Sequence, residues 1–390
     1  MPTPYQIAQK RIRAAAESGA TMLDLSKLGL IALPPEVGNL IHLQTLNLCC
    51  NHLTTLPPEI GQLASLQDLA LSWNKLAALP PEIGNLASLR KLDLDDNHLT
   101  ALPPEIWRLP HLTALNISSN LLAEIPSELW QKQDWESLGL AVLELAALPP
   151  EIGNLTSLKS LELSGNVLTT LPPEIGNLAS LQRLELSENW LTTLLPEIGN
   201  LTSLQELSLW DNRLTDLPPE IGQLANLRRL YLNGNRITAL PLEIGNLASL
   251  QRLGLSGNML TALPPEIGNL ASLQYLDLSG NQLTTLPPDI GNLAGLQSLF
   301  LSGNQLTTLP TEIGGLASLQ YLDLSENQFT VLPPEIGQLT RLQGLYLKGN
   351  QLTVLPREIR NLPKLDSPAK RSLLPDSFHS GRSLAIMRAT

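Results

Sequence analysis

The amino-acid sequence predicts an α/β solenoid, in which short parallel strands and short helical turns are stacked in chain order. Two observations lead to this fold class. Leucine accounts for 93 of the 390 residues, whereas the aromatic residues are only 3 Phe, 6 Trp and 5 Tyr. Asparagine also occupies thirteen of the fourteen positions spaced by 23 residues from Asn51 to Asn350, without insertion or deletion. A fixed period of this length is typical of repeat architectures.

The first element of the chain is predicted to be a helix from Pro4 to Ser18, ended by Gly19. Each end of a solenoid needs a cap, because a terminal repeat has no neighbour to cover its apolar side. We therefore expect residues 1–19 to form an N-terminal capping helix. The residues available to cover the first repeat are Ile7, Ala8, Ile12, Ala15 and Ala16.

Each repeat then begins with a short strand. Its pattern is L-x-x-L-x-L-x-x-N-x-L, and within it Leu69 and Leu71 lie two apart, so both point to one face. Asn74 follows where the chain turns inward. Its amide can both donate and accept, so a column of such side chains can satisfy buried backbone groups. This structural ladder comprises Asn51, Asn74, Asn97, Asn120, Asn166, Asn189, Asn212, Asn235, Asn258, Asn281, Asn304, Asn327 and Asn350.

A proline-rich turn completes each repeat, as in Leu-Pro-Pro-Glu-Ile-Gly-Asn-Leu at residues 79–86. Proline suits the first turn of a helix, where its missing N–H is not needed. The spacing of Ile83, Leu86 and Leu89 by three favours a 3₁₀ turn, and Gly84 permits a tight backbone path. About fifteen such repeats over residues 20–365 predict a parallel sheet on a concave face and turns on a convex face. Residues 366–390 form a basic tail without periodicity, which we expect to be disordered.

The repeat pattern is that of leucine-rich repeats. The segment Leu-Pro-Pro-Glu-Ile-Gly-Asn-Leu-Ala-Ser-Leu-Gln at residues 171–182 resembles the intracellular Ras-group type, which includes the Scribble and erbin scaffolds. The segment Gly-Ala-Thr-Met-Leu-Asp-Leu-Ser at residues 19–26 is similar to the start of the repeat region of bacterial Roco proteins.

This resemblance implies a leucine-rich-repeat horseshoe and a non-catalytic interaction scaffold in intracellular signalling. Its partner would be a protein, such as a small GTPase or another signalling protein. The alternative is the sensor region of a larger Roco-like GTPase. The sequence contains no G-x-x-x-x-G-K-[ST] phosphate loop, so GTPase activity is not carried over to this chain.

Charge and cysteine usage narrow the classes of partner and compartment. The formal charge of −11 disfavours a general binder of nucleic acid or anionic membranes. Fifteen acidic residues belong to one repeat column, from Glu36 through Asp289 to Glu358, and removing them would turn −11 into +4. The adjacent Cys49 and Cys50 cannot form the paired disulfide caps of a secreted repeat protein. No signal peptide and no transmembrane run is visible, so we expect a cytoplasmic protein.

The candidate binding residues lie beside the strand leucines, on the predicted concave face. Aromatic and arginine side chains are favoured anchors in protein interfaces. The predicted binding centre consists of Trp190, Trp210, Arg213, Arg229, Tyr231, Arg236 and Arg252. Further aromatic residues of the same face are Trp73, Tyr275, Phe300, Tyr321 and Tyr346.

Two other interpretations of this face remain open. The long side chains could simply pack on one another. Basic and aromatic residues together could also bind single-stranded nucleic acid. Acidic residues on the same arc disfavour the second interpretation, and they are Glu162, Glu185, Glu188, Glu206 and Asp211.

One repeat, residues 120–142, departs from the pattern. Lys132 stands where a buried leucine is expected, so we expect a shifted turn that lets this lysine reach water. Trp135 replaces another leucine, and Leu143 interrupts the asparagine ladder. Trp107 and Trp130 replace the turn glycine in consecutive repeats. This region is either a tolerated irregular repeat or a hinge or second docking patch.

Polar clusters elsewhere do not predict a catalytic or metal site. Cys49, Cys50 and His52 precede a second polar group, Asp95, Asp96 and His98, by two repeats, and C-C-x-H lacks the usual zinc-ligand spacing. Asp68, Asp93, Asp95 and Asp96 could receive a basic partner or Ca²⁺, although no oxygen-rich loop encloses them. A flat strand face also provides no oxyanion site. We therefore expect no cofactor, metal or catalytic residue.

Overall fold

The computed structural model describes residues 2–363 and residue 365, and the tail predicted at 366–390 lies outside the described residues. Contacts divide the chain into two compact units. The first unit is Met1–Val167 with Asn177–Leu184, and the second is Leu168–Gly176 with the described residues from Glu185 onward. The sheet order follows the chain order, from the first strand to the fifteenth.

The first unit begins with helix α1, Pro4–Ser18. The Thr3 side chain accepts a hydrogen bond from the Gln6 amide, and Gly19 ends the helix at φ 65°. Ala8, Ile12 and Ala15 are buried on the side that packs against the first strand and the first turn. Ala16, which the sequence offered as a further covering residue, is exposed because it lies off this stripe.

Seven parallel three-residue strands follow in the first unit, and an eighth spans the boundary between the units. They are β1 Met22–Asp24, β2 Thr45–Asn47, β3 Asp68–Ala70, β4 Lys91–Asp93, β5 Ala114–Asn116, β6 Ser137–Gly139, β7 Ser160–Glu162 and β8 Arg183–Glu185. A second helix, α2 Ser127–Gln131, replaces the 3₁₀ turn of the irregular repeat.

The second unit repeats the same strand geometry. Its strands are β9 Glu206–Ser208, β10 Arg229–Tyr231, β11 Arg252–Gly254, β12 Tyr275–Asp277, β13 Ser298–Phe300, β14 Tyr321–Asp323 and β15 Gly344–Tyr346. The register is in step with the 23-residue period, as in the pairing of Leu230 with Leu253. Every strand of the described chain has a buried leucine at its centre, so the side chains on either side of it face away from the core.

The turns opposite the strands are 3₁₀ helices, as the threefold spacing predicted. They span Pro35–Asn39, Pro58–Gln62, Pro81–Asn85, Pro104–Arg108, Pro150–Asn154, Pro173–Asn177, Pro196–Asn200, Pro219–Gln223, Leu242–Asn246, Pro265–Asn269, Pro288–Asn292, Thr311–Gly315, Pro334–Gln338 and Arg357–Asn361. The predicted fold class, a leucine-rich-repeat solenoid with a parallel sheet and 3₁₀ turns, is thereby confirmed.

The ladder asparagines tie each repeat to the one before it. Asn258 accepts from the Ile237 amide at 3.0 Å and donates to the Leu232 and Leu255 carbonyls at 2.9 and 3.0 Å. These bonds satisfy three backbone groups that the turn would otherwise bury without partners. Leu143 supplies no such amide. Asn166 accepts the regular ladder bond from the Leu145 N–H and a further bond from the Leu143 N–H, both at 3.0 Å.

The turn glycines are required by close approach and not by an unusual φ. A Cβ placed on Gly245 would lie 2.5 Å from the Glu266 carbonyl oxygen in the next turn. The sequence predicted a tight backbone path at this column, and the contact between successive turns is its physical cause. Trp107 occupies the same column, and in the following repeat α2 stands in place of a 3₁₀ helix. Trp130 also occupies this column, and the turn after it is the regular 3₁₀ helix Pro150–Asn154.

Candidate functional site

The candidate site lies on the strand face, by which we mean the exposed side chains of the strands and of the bend that follows each strand. Tyr231, Phe300 and Tyr346 end their strands, whereas Tyr275 and Tyr321 begin theirs. Trp73, Trp190 and Trp210 lie in the bends and not in the strands, although the sequence had placed them with the strand residues. All three tryptophans are exposed.

Side-chain contacts join several of the predicted residues in the second unit. The Arg213 guanidinium lies 4.7 Å from the centre of the Trp190 ring, and the Arg252 guanidinium lies 5.7 Å from that of Tyr275. Tyr275 in turn contacts Phe300, with ring centres 5.4 Å apart and planes tilted by 48°. Such contacts hold long side chains in place before a partner arrives.

Arg229 belongs to the same surface and is paired within it. Its Nη1 lies 2.9 Å from Glu206 Oε2, one strand away. Both side chains remain partly exposed, so the pair is open to exchange with a partner's charges. The exposed Arg236 lies one repeat from Arg213.

Beyond this group, the aromatic side chains continue along β12 to β15. Burial raises the pKa of the Tyr275 hydroxyl above its ordinary value, and the Asp277 carboxylate acts in the same direction. The Tyr321 hydroxyl donates to Gln343 Oε1 at 3.2 Å. A Cβ on Gly344 would approach Tyr321 Cδ1 to 3.0 Å and Tyr346 Cε2 to 3.2 Å, so this glycine makes room for both rings.

An open pocket of about 500 Å³ lies where three successive bends of the second unit meet. It brings together Trp190, Arg213 and Arg236 of the predicted centre. The other residues lining it are Glu188, Asn189, Asp211, Asn212, Gly234 and Asn235. Trp210, Arg229, Tyr231 and Arg252 do not line this pocket.

The sequence named Glu188 and Asp211 only as acids that intrude on a basic arc. Both directly precede a ladder asparagine, in a column that has left-handed φ throughout the described repeats. Its members are Lys27, Cys50, Trp73, Asp96, Ser119, Val142, Gly165, Glu188, Asp211, Gly234, Gly257, Gly280, Gly303, Glu326 and Gly349. The six glycines of this column were the available signal, because glycine is the residue that adopts such a φ without strain.

The polar clusters of the first unit do not assemble into a metal site. Cys49 Sγ lies 3.0 Å from Ser72 Oγ, and both Cys49 and Cys50 are free thiols. Burial raises the pKa of the Asp95 carboxyl, and the neighbouring Asp93 and Asp96 raise it further, while a hydrogen bond from Ser119 opposes the shift. Within the described part of the chain, no three His, Cys, Asp or Glu side chains are placed to hold a metal ion.

The irregular repeat is rebuilt around its tryptophans. Trp135 is fully buried and its Nε1 donates to the Leu129 carbonyl at 2.9 Å. Lys132 Nζ lies 2.6 Å from Asp134 Oδ1 and its side chain keeps 16% of its exposure, so it reaches water as expected. Trp130 is buried and Trp107 is half-buried. Leu122 and Ile125 are only half-buried, which makes this repeat less well packed than its neighbours.

The helices of the described residues include none that is both long and apolar enough to cross a bilayer. The strand face of the second unit carries aromatic rings, arginines and a pocket lined by opposite charges.

Comparisons with known proteins agree with this architecture. Family models described as leucine-rich repeat region match residues 21–92, 136–239 and 288–373, and models described as leucine rich repeat match residues 87–141 and 248–306. A search of curated proteins finds no match to the chain.

Among solved structures, a leucine-rich repeat protein of Leptospira interrogans is 46% identical, with 91% of each chain covered and a TM-score of 0.84. The plant peptide hormone receptor RGFR1, solved in complex with RGF2, is 29% identical over 92% of this chain and 74% of that one, with a TM-score of 0.58. An internalin of Listeria monocytogenes is 22% identical over 94% and 97% of the two chains, with a TM-score of 0.71, and it shows the fold alone.

Proposed function

The chain belongs to the leucine-rich repeat family, and from this premise we propose that it is a non-catalytic interaction module whose protein partner binds the strand face of the second unit. Leucine-rich repeat domains generally mediate protein–protein interaction. The receptor RGFR1, to which this chain is similar, was solved with RGF2 bound. The strand face is the proposed counterpart of such a binding surface in this chain.

One observation carries the proposal: the second unit presents aromatic rings and arginines that already contact one another at its surface. Trp190 supports Arg213, while Tyr275 lies between Arg252 and Phe300. Tryptophan, tyrosine and arginine are the residues most often found at the energetic centre of interfaces. Because their neighbours already restrict these side chains, binding them costs less conformational entropy.

The test is affinity capture from source cells with the wild-type chain and with Arg229→Ala/Tyr231→Ala. We expect the double substitution to weaken capture at least tenfold, since truncating an interface anchor commonly costs about 2 kcal/mol or more. The matched control is Tyr5→Ala/Arg13→Ala, which removes the same residue types from the exposed side of α1. Capture of the same partner at full affinity by Arg229→Ala/Tyr231→Ala would remove the proposal.

We further propose that the module works in the cytoplasm, in signalling, with a small GTPase or another signalling protein as its partner. Two observations support this context: Cys49 and Cys50 are free thiols, and the repeat sequences resemble those of the Ras-group and Roco proteins. Fractionation of cells expressing a tagged chain tests the compartment. Identification of the captured protein by mass spectrometry tests the class of partner.

A further inference from the structure

The pocket in the second unit separates its charges onto two walls. Glu188 and Asp211 stand on one side, each directly before a ladder asparagine. Arg213 and Arg236 stand on the other side, each directly after a ladder asparagine. Asparagines 189, 212 and 235 lie between the walls, and their side chains are buried in the ladder. The pocket therefore has an acidic wall and a basic wall that follow the same direction across the repeats.

These four charges are open to a ligand because they do not neutralise each other. No ion pair within 4.0 Å joins them among the described residues, although Arg229 and Glu206 close by form one at 2.9 Å. Arg213 is held against the Trp190 ring and not against a carboxylate. Glu188, Asp211, Arg213 and Arg236 are all exposed.

The backbone of the acidic wall has the left-handed conformation that this column has in every described repeat. Glu188 has φ 55° and Asp211 has φ 52°, a left-handed conformation that is unfavourable for side chains other than glycine. Most positions of this column in the second unit are glycine, and Glu326 is its one further exception among the described residues. Two carboxylates thus stand beside each other at the pocket, in a column that is glycine at most positions of the second unit.

Gly234 completes the acidic wall. A Cβ on this residue would collide with the Asp211 carboxylate, so the glycine leaves the space that this carboxylate occupies. The basic wall has the corresponding support from Trp190, whose ring fixes the direction of Arg213.

We infer that this pocket binds a peptide segment of mixed charge, which places a basic side chain against Glu188 and Asp211 and an acidic side chain against Arg213 and Arg236. The inference rests on the proposed function, because the segment belongs to the partner protein. A segment of a single sign would meet one attractive and one repulsive wall, and like charges placed together lower affinity. A pocket of about 500 Å³ holds only a few residues of such a segment.

The experiment selects binders from a phage-displayed library of random ten-residue peptides on the full chain, and measures synthetic copies by fluorescence anisotropy. The variants are Arg213→Gln/Arg236→Gln and Glu188→Gln/Asp211→Asn. The matched control is Glu312→Gln/Arg341→Gln, which removes one charge of each sign from exposed residues outside the strand face. Thermal unfolding of each variant shows that it is folded.

The expected result is enrichment of peptides that carry one basic and one acidic residue at a constant separation. Arg213→Gln/Arg236→Gln weakens their binding at least tenfold, and this loss disappears when the peptide's acidic residue is replaced by Gln. Glu188→Gln/Asp211→Asn likewise weakens their binding at least tenfold, and this loss disappears when the peptide's basic residue is replaced by Gln. The control variant binds like the wild-type chain.

The inference is overturned if no peptide is enriched, if the enriched peptides carry one sign of charge or none, or if both pocket variants bind them like the wild-type chain. Capture of the natural partner separates the two proposals. If Arg229→Ala/Tyr231→Ala abolishes capture while the pocket variants capture normally, the inference fails and the proposed function stands. If the charge-paired peptide result holds while Arg229→Ala/Tyr231→Ala captures normally, the pocket stands and the proposed anchor surface fails.

Discussion

Val142 shows what the repeat demands of a single residue. It occupies the left-handed column with φ 52°, where a β-branched side chain is crowded by its own backbone. The sequence contains glycines at this column, but a glycine alone does not show that the backbone there has a left-handed φ. The structure shows that the bend has the same left-handed conformation whichever residue fills it, and Val142 adopts it although Leu143 interrupts the ladder directly after it.

We expect Val142→Gly to raise the free energy of unfolding by about 1 kcal/mol, since removing Cβ relieves the left-handed strain. Val331→Gly is the matched control, because Val331 is exposed to a similar degree, 56% against 53%, and lacks a positive φ. There the same exchange adds freedom to the unfolded chain and lowers stability. Urea unfolding measures the free energy of unfolding of both variants. A Val142→Gly variant that is less stable than the wild-type chain would contradict the conclusion that Val142 is strained.

Asp95 provides a prediction that depends on pH. Its pKa is raised, chiefly by burial, so the folded chain holds this proton more tightly than the unfolded chain does. Stability therefore falls as pH rises from the pKa of the unfolded chain, near the ordinary aspartate value of 3.8, through the pKa of the folded chain. We expect Asp95→Asn to raise the melting temperature slightly at pH 7, with an effect limited by the exposure of the side chain.

The gain from Asp95→Asn should disappear below about pH 3.5, where the aspartate is protonated in both states. Melting curves from pH 3 to pH 7 test this. Asp68→Asn is a suitable control, as this residue belongs to the same acidic patch. An Asp95→Asn variant that is less stable than the wild-type chain at pH 7 would show that the carboxylate is bound favourably in the fold.

At the scale of the element, the 3₁₀ turns and strands follow from local spacing, and this is why they could be predicted. Leucines two apart fix a strand face, and apolar residues three apart with a leading proline fix the turn. The helix α2 could not be predicted in this way, because its segment departs from the turn pattern and the spacing does not give the conformation that replaces the 3₁₀ turn. The 23-residue spacing grouped Trp190, Arg213 and Arg236 correctly. It could not show that the bends form a pocket, so Glu188 and Asp211 were interpreted only as acids that intrude on a basic arc.

The packing of successive turns gives a prediction for the glycine column. A Cβ on Gly245 would lie 2.5 Å from the Glu266 carbonyl oxygen and 2.8 Å from Glu266 Cβ, and neither the backbone nor this Cβ can move alone. We expect Gly245→Ala to lower the free energy of unfolding by about 1–3 kcal/mol, the usual cost of overpacking.

Gly295→Ala is the control, because its added Cβ would approach no described atom closer than 3.4 Å, an ordinary contact. It should be neutral or slightly stabilising, since alanine reduces the freedom of the unfolded chain. Chemical denaturation of the two variants compares them directly. Equal stabilities would show that adjacent turns separate without cost.

At the scale of the whole molecule, the acidity and the proposed binding belong to different surfaces. The formal charge of −11 is dominated by fifteen acidic residues of the turn column, whereas the proposed site depends on arginines and aromatic rings of the strand face. The negative net charge therefore reflects the acidic column of the turns and gives no information about the partner. The same column places like charges one repeat apart, and we expect their repulsion to lower the stability of the fold at low ionic strength.

In the second unit, successive acidic residues of this column lie in adjacent turns, one repeat apart. Among the described residues, Glu266 Oε2 and Glu335 Oε2 are buried without a hydrogen-bond partner, so no donor binds these two oxygens. Raising NaCl from 0.01 to 0.15 M shortens the screening length from about 30 Å to about 8 Å. We expect the melting temperature to rise by about 2–5 °C over this range.

Replacing alternate acids of the column, Glu197→Gln, Glu243→Gln and Asp289→Asn together, should raise the melting temperature at 0.01 M NaCl and reduce the further gain from salt. These substitutions keep the shape of each side chain and remove only its charge. A triple variant with the same salt response as the wild-type chain would show that the column is already neutralised by water. A reduced response would show that the repeat tolerates a repulsive stripe on its turns, because the leucine core and the asparagine ladder on the other side stabilise each interface more than the stripe destabilises it.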